Sequence, residues 1–344
     1  MSLVFCFVVI SASINLFNSS AQTTSTTTPQ KTATPPRLAT PTPEPTPEEE
    51  EGELKIETEI VGLSVRVIDR NNRPVNNLTQ NDFKVFEDNV PQQIDSFTKA
   101  EVPTNYSLVI DNSGSLRLQL DKVIEAGKIL IGTNRPDDEA SIIRFVSTDK
   151  IEIVQNFTPS KTDLNDALDN LFIEGGQTAI IDAVYLAAQQ IEEYEKSRGD
   201  DKMRRALILV SDGEDRDSFY NEQQLFELLR ESDVQIFVIG FVNELSKEGG
   251  FISKSPQSKS KSFLERLATE TGGKVYFPNS VGELNTIAND IASELRTQYL
   301  VSYYPTNTKK DGTFRAIKVV VNDGPNKTKR IAVTRTGRKA ELEK

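Results

Sequence analysis

Between Pro103 and Gln298, short apolar runs alternate with longer amphipathic stretches, and this rhythm narrows the possible folds more than any other feature of the 344-residue chain. "YSLVI", "ASIIRFV", "KIEIVQNF", "RALILVS", "QIFVIGFV" and "KVYF" read as strands. The more continuous of these runs suit strands covered on both faces. Between them, "LRLQLDKVIEAGKILI", "DLNDALDNL", "AIIDAVYLAAQQIEEYEKS", "NEQQLFELLRESD", "SFLERLATETGG" and "VGELNTIANDIASELRTQ" read as helices. In the third, Ile181, Val184, Tyr185 and Ala188 recur at helical spacing. Asp163 stands at the opening of the second, and Gly272 and Gly273 stand where the fifth needs a C-terminal cap. Strand–helix alternation predicts an α/β fold, Rossmann-like, with a mainly parallel sheet and helices on both faces.

The flanks follow other patterns. Residues 1–21 open with an apolar stretch shorter than the ~20 residues of a membrane span. Ser19 and Ala21 suit cleavage of an export signal, although no Lys or Arg follows Met1. Residues 22–52 are rich in Thr, Pro and Glu and read as a disordered linker, having too little apolar surface to offset ordering. Within 53–102, Leu63, Val65 and Val67 alternate with Ser64, Arg66 and Ile68. A strand–turn–strand pattern around Asp88-Asn89 follows, with Thr79 and Asp82 placed to cap one helical turn before it. This stretch reads as a small flanking β module. Residues 103–298 form the α/β domain, and 299–344 return to strand character and are expected to pack with 53–102. The Ser- and Lys-rich run "NELSKEGGFISKSPQSKSKS" reads as a mobile, solvated loop.

Composition removes several chemistries. The net charge of −11 argues against nucleic acid, whose phosphates need clustered Lys and Arg. There is no histidine, and Cys6 is the only cysteine, so histidine triads, thiolate metal sites and intrachain disulfides are excluded. A bound metal must take oxygen ligands, which selects Mg²⁺, Mn²⁺ or Ca²⁺.

Three polar stretches leave strands whose carboxyl ends should lie together, where open α/β sheets bind ligands. The first is "DNSGSL", with Asp111, Ser113 and Ser115 at alternate positions; on its own it fits an ordinary turn as well as a metal shell. The second is "GGQT", ending in Thr178, and the third is "VSDGEDRD", led by Asp212. Together they offer two carboxylates and three hydroxyls, and Mg²⁺ in such a shell keeps waters and a position that a partner's carboxylate can fill. Asp182, in the first turn of a helix, suits the helix dipole or a supporting contact to Thr178. Glu214, Asp215 and Asp217 read as a solvated loop beside the mouth, and Arg198-Gly199-Asp200 as a chance tripeptide at the opposite end of the sheet.

"DNSGSL", the threonine after the paired glycines and "SDGED" resemble the von Willebrand factor type A (VWFA) domain, over about residues 103–298. The flanking segments resemble those of VWFA-related proteins first described in Acidobacteria. The resemblance implies a metal-ion-dependent adhesion site. Ser113 and Ser115 would bind the cation directly, Asp111 and Asp212 directly or through water, and Thr178 would join or leave with the ligand state. Leu116 stands where the family usually has Met, and Gln177 is inserted before Thr178. The expected function is non-enzymatic: an exported, periplasmic, cell-surface or secreted adhesion module that binds an Asp or Glu carboxylate of a protein ligand through Mg²⁺, Mn²⁺ or Ca²⁺. The alternatives are a scaffold of the same fold whose metal is absent or structural and, behind it, an oxygen-metal hydrolase.

Overall fold

A computed structural model describes residues 60–70, 73–99, 103–198, 203–248, 255–296 and 298–342. The expected leader, the linker, residues 53–59, and Gly199 and Asp200 of the tripeptide lie outside the described residues. Strand β1 (Val61–Asp69) is followed by a 3₁₀ turn, Gln80–Asp82, whose Thr79 and Asp82 form a reciprocal cap. Then come β2 (Phe83–Glu87), β3 (Val90–Gln92) and β4 (Ile94–Thr98). Asp88 and Asn89 turn β2 into β3 with φ of 49° and 64°, the left-handed values a two-residue hairpin turn demands.

The α/β unit contains β5 (Thr104–Asp111), α1 (Leu120–Gly132), β6 (Glu139–Phe145), β7 (Ile151–Thr158), α2 (Lys161–Asp169) and α3 (Ile180–Arg198). It continues through β8 (Arg204–Ser211), α4 (Glu222–Glu231), β9 (Val234–Gly240), α5 (Pro256–Thr271), β10 (Val275–Tyr276) and α6 (Leu284–Arg296). The strands lie in the order β10-β9-β8-β5-β6-β7 and are parallel except at the β6–β7 edge. Tyr106, Leu108 and Ile110 of β5 pack with α1, α2 and α6, and Val109 packs on the other side with α3, α4 and α5. This is the doubly covered, mainly parallel sheet that the alternation predicts.

Several boundaries differ from the sequence reading: α1 begins at Leu120 rather than Leu116, and α6 at Leu284 rather than Val281. Helix α2 is opened by Ser160, whose Oγ accepts from the Asp163 amide at 3.3 Å, so Asp163 sits inside the first turn. Helix α5 starts at Pro256, within the run expected to be a mobile loop. Ser255 caps it, and Phe263, Leu264 and Leu267 bury its inner face. Its C-cap is Gly272, at φ 76°, where a Cβ would lie 2.5 Å from the Thr334 carbonyl carbon. Both the left-handed conformation and the close approach require glycine.

After α6 come β11 (Gln298–Tyr303), β12 (Phe314–Val321), β13 (Arg330–Val333) and β14 (Gly337–Lys339). Together with β1–β4 they form two antiparallel sheets, β13-β1-β11-β4 and β14-β12-β2-β3; strands from before and after the α/β unit alternate in the first and meet at the β12–β2 pair in the second. Leu63, Val65, Val67, Val85, Val301 and Tyr303 belong to one shared core. The Phe83 and Phe97 rings lie 5.1 and 5.6 Å from that of Tyr299. The hydroxyl of Tyr299 accepts from Leu78 N and donates to Val75 O, pinning the β1–β2 connection.

This β structure meets the α/β unit at the C-terminal ends of its helices. Arg66 of β1 donates to Glu294 of α6 at 2.9 Å, and Lys274 reaches the same carboxylate at 3.1 Å. Lys339 pairs with Glu231 at the end of α4. The carboxyl ends of the parallel strands therefore stay clear of it. No helix among the described residues is long and apolar enough to cross a membrane.

Glu294 is 1% exposed, so truncating it leaves Arg66 charged and buried. Glu294→Ala is expected to destabilise the protein by about 3–5 kcal/mol in urea unfolding. Glu192→Ala, at a pair with exposed Lys196, should cost under about 1 kcal/mol.

Candidate metal centre

Asp111 ends the central strand, fully buried. Its Oδ1 accepts from the Ser113 amide at 2.9 Å, which folds the chain back beneath the carboxylate in an Asx-type turn. That turn brings the Ser113 and Ser115 hydroxyls 2.8 Å apart. Leu116 follows at 1% exposure, filling the core as an apolar plug. Asn112, between the proposed ligands, is a brace. Its amide donates to Phe145 O at 2.9 Å, its carbonyl accepts from Glu174 N at 2.8 Å, and its Nδ2 donates to Phe172 O at 2.7 Å. The first loop is thus tied to the end of β6 and to the loop leading to Thr178.

Asp212 lies one residue beyond β8, 3% exposed, with Oδ1 accepting from Glu214 N at 2.9 Å. The preceding Ser211 donates its hydroxyl to Asp111 Oδ2 at 2.8 Å and accepts from Gly213 N at 3.1 Å, joining the first and third loops. Gly213 turns the chain there at φ 79°. Thr178 is buried, and its carbonyl accepts from the amides of Arg216 and Asp217 at 2.8 and 3.3 Å. Hydrogen bonds therefore connect the three loops that carry Asp111, Ser113, Ser115, Thr178 and Asp212.

Burial pushes the Asp111 carboxyl up to about 6, and the neighbouring charge of Asp212 adds to the rise against the hydrogen bonds from Ser113 and Ser211. Neither Asp111 nor Asp212 makes an ion pair among the described residues. A divalent cation would supply the missing positive charge. The hydroxyl pair has suitable spacing, because adjacent ligands at ~2.1 Å from an octahedral ion lie about 3 Å apart. Among the described residues, no group of three or more Asp, Glu, His or Cys side chains could hold a metal, so any cation here must rely on hydroxyls and water beside two carboxylates. The donor set fits Mg²⁺ or Mn²⁺.

The neighbouring acidic residues are structural. Asp182 is fully buried, and its carboxylate accepts from the Phe219 and Tyr220 amides at 2.7 and 2.9 Å and from the Thr148 hydroxyl. It therefore anchors the Asp212 loop rather than simply complementing the dipole of α3. Asp215 caps that helix by accepting from Ile181 N at 3.3 Å, and Asp217 accepts from Thr148 N at 3.2 Å, so neither is merely solvated. Glu214 pairs with Arg216. Sequence reading missed the roles of Asn112 and Ser211. The available signal was a lone serine closing the otherwise apolar "LILV" run.

Two outcomes follow. A carboxyl raised from its ordinary 3.8 to about 6 binds its proton more tightly when folded, so its contribution to stability falls as pH rises through that window. Denaturant unfolding in chelator should show wild type losing stability relative to Asp111→Asn between about pH 4 and 7, with Mg²⁺ restoring it at about pH 7. In Asp182→Ala, hydrogen exchange at Phe219 and Tyr220 should accelerate more than about tenfold, as their buried acceptors are lost.

The family model for the von Willebrand factor type A domain matches residues 107–290. No curated protein matches the chain. Among solved structures, it is similar to an aerotolerance-related membrane protein from Bacteroides fragilis, at 19% identity and a TM-score of 0.43 over 56% of this chain and 98% of that one. It is also similar to a von Willebrand factor type A protein from Catenulispora acidiphila, at 12% identity and a TM-score of 0.45 over 82% and 75% of the two chains. A third similar structure, mussel byssus proximal thread matrix protein 1 with a zinc-occupied MIDAS motif, is 18% identical with a TM-score of 0.44 over 57% and 48%. With the family match spanning more than half its length, the chain belongs to the von Willebrand factor type A domain family.

Proposed function

We propose that this chain is an exported interaction module that binds an Asp or Glu carboxylate of a protein ligand through a divalent cation, with Mg²⁺ the first candidate and Mn²⁺ or Ca²⁺ next. Asp111, Ser113, Ser115, Thr178 and Asp212 would hold the cation. The observation that carries the reading is the pair of buried carboxylates, without a basic partner among the described residues, beside two hydroxyls 2.8 Å apart. A cation there offsets the repulsion and leaves a coordination position for an outside carboxylate. The apolar opening and the Thr/Pro/Glu-rich segment that follows support export to the periplasm, cell surface or medium. The reading is of binding, not catalysis, since the chain has no histidine and only Cys6 as a thiol. The bond between the Ser113 and Ser115 hydroxyls favours one second reading, a scaffold whose loops hold together without metal.

Calorimetric titration of the full chain with Mg²⁺ and with Mn²⁺ separates the two. The proposal expects binding near one equivalent that disappears in Asp111→Ala. Equal binding by that variant would place the metal elsewhere. Unchanged partner binding by a folded Asp111→Ala protein would support the scaffold.

A further inference from the structure

We propose that the Asp111–Asp212 end of the α/β unit is an apolar-rimmed docking surface whose partner is an exposed protein segment presenting a carboxylate flanked by apolar side chains. This rests on the cation-dependent reading above and specifies the partner.

Among the described residues of the α/β unit, the exposed large apolar side chains are Leu118, Phe172 and Phe219, at 81%, 52% and 40% exposure. Singly exposed apolar residues are ordinary on a protein surface, so their number decides nothing. Their placement does. Leu118 lies three residues after Ser115, Phe172 in the loop leading to Thr178, and Phe219 in the loop leaving Asp212. Each of the three loops that carry the proposed ligands therefore bears one exposed large apolar side chain.

Two of these positions are held by buried groups of the site. Phe172 is fixed through its carbonyl by Asn112 Nδ2, and Phe219 through its amide by Asp182. The Arg144 guanidinium lies 4.4 Å from the centre of the Phe172 ring, and the Phe219 ring packs edge-on against Tyr220 at 5.2 Å. A rim anchored in this way loses little conformational freedom when a partner covers it.

Charge selects the centre of the partner. Arg117 is exposed beside Leu118 and makes no ion pair among the described residues. With a cation at the centre, the mouth favours an acidic group, while the three apolar side chains favour apolar neighbours on either side of it. A polar-flanked carboxylate would leave those side chains facing water or cover them with groups that need hydration.

The probe is a library of synthetic peptides with one fixed central glutamate and two varied positions on each side, panned on the immobilised full chain in Mg²⁺ and again in EDTA. The expected result is EDTA-sensitive enrichment of Leu, Ile, Val, Phe and Met beside the glutamate. Leu118→Ser should weaken the best peptide about tenfold, the scale of one buried apolar side chain, with Mg²⁺ affinity unchanged. Since Leu118 is the most exposed of the three, its replacement tests the rim without disturbing the core; Phe219→Ser is the second variant. EDTA-sensitive enrichment of polar or charged neighbours, or peptide affinity unmoved in both variants, overturns the rim and leaves the cation reading standing. Peptide binding that ignores EDTA overturns both.

Discussion

The hydrogen bond from Ser211 to Asp111 joins two neighbouring strands at the point where each stops being a strand. Parallel strands end their ladders with outward-facing backbone groups, and something must direct the chain beyond them. Here the Asp111 carboxylate does so, accepting from its own loop on one oxygen and from the next strand on the other. Because both acids sit beneath the surface, the arrangement concentrates negative charge where water screens it poorly. The same burial that orders the loops thus sets two carboxylates where a cation would offset their charge.

The braces around this centre are mostly side chain to backbone. Asn112 holds the end of β6 and the loop leading to Thr178, and Asp182 takes two amides of the Asp212 loop. Such bonds give amides and carbonyls of irregular segments the partners that regular secondary structure does not supply. They also let the loops keep their positions without regular secondary structure. The residues facing outward, including Leu118 and Phe219, are then free to vary in chemistry without loosening the scaffold beneath them.

Much of this is legible in the chain. The apolar runs and their helical intervals point to the covered sheet, because short runs such as "SLVI" and "IFVIG", alternating with amphipathic stretches, suit strands buried on both faces. Asp111, Ser113, Ser115 and Asp212 stand out because hard-oxygen side chains follow directly on such runs. The bracing roles of Ser211, Asn112 and Asp182 are not legible, since their partners come from strand ends and loops 33 to 100 residues away, brought near only by the strand order. The start of helix α5 is hard to read because Gln, Ser and Lys fill its exposed first turns, although Ser255-Pro256 is a helix-opening pair. Ser160 and Asp163 are both competent caps three residues apart, and local sequence alone does not choose between them.

The interleaved sheet β13-β1-β11-β4 imposes an order on biosynthesis. Val61 of β1 pairs with Tyr303, and its other neighbour is β13, so both partners of the first strand are made after the whole α/β unit. The central sheet can close from residues 104 to 276, while β1 waits with both ladder edges open. Completion of the β structure therefore reports that translation has passed β13. A chain stopped after α6 would carry the finished Asp111–Asp212 loops at one end and an unpaired apolar strand at the other.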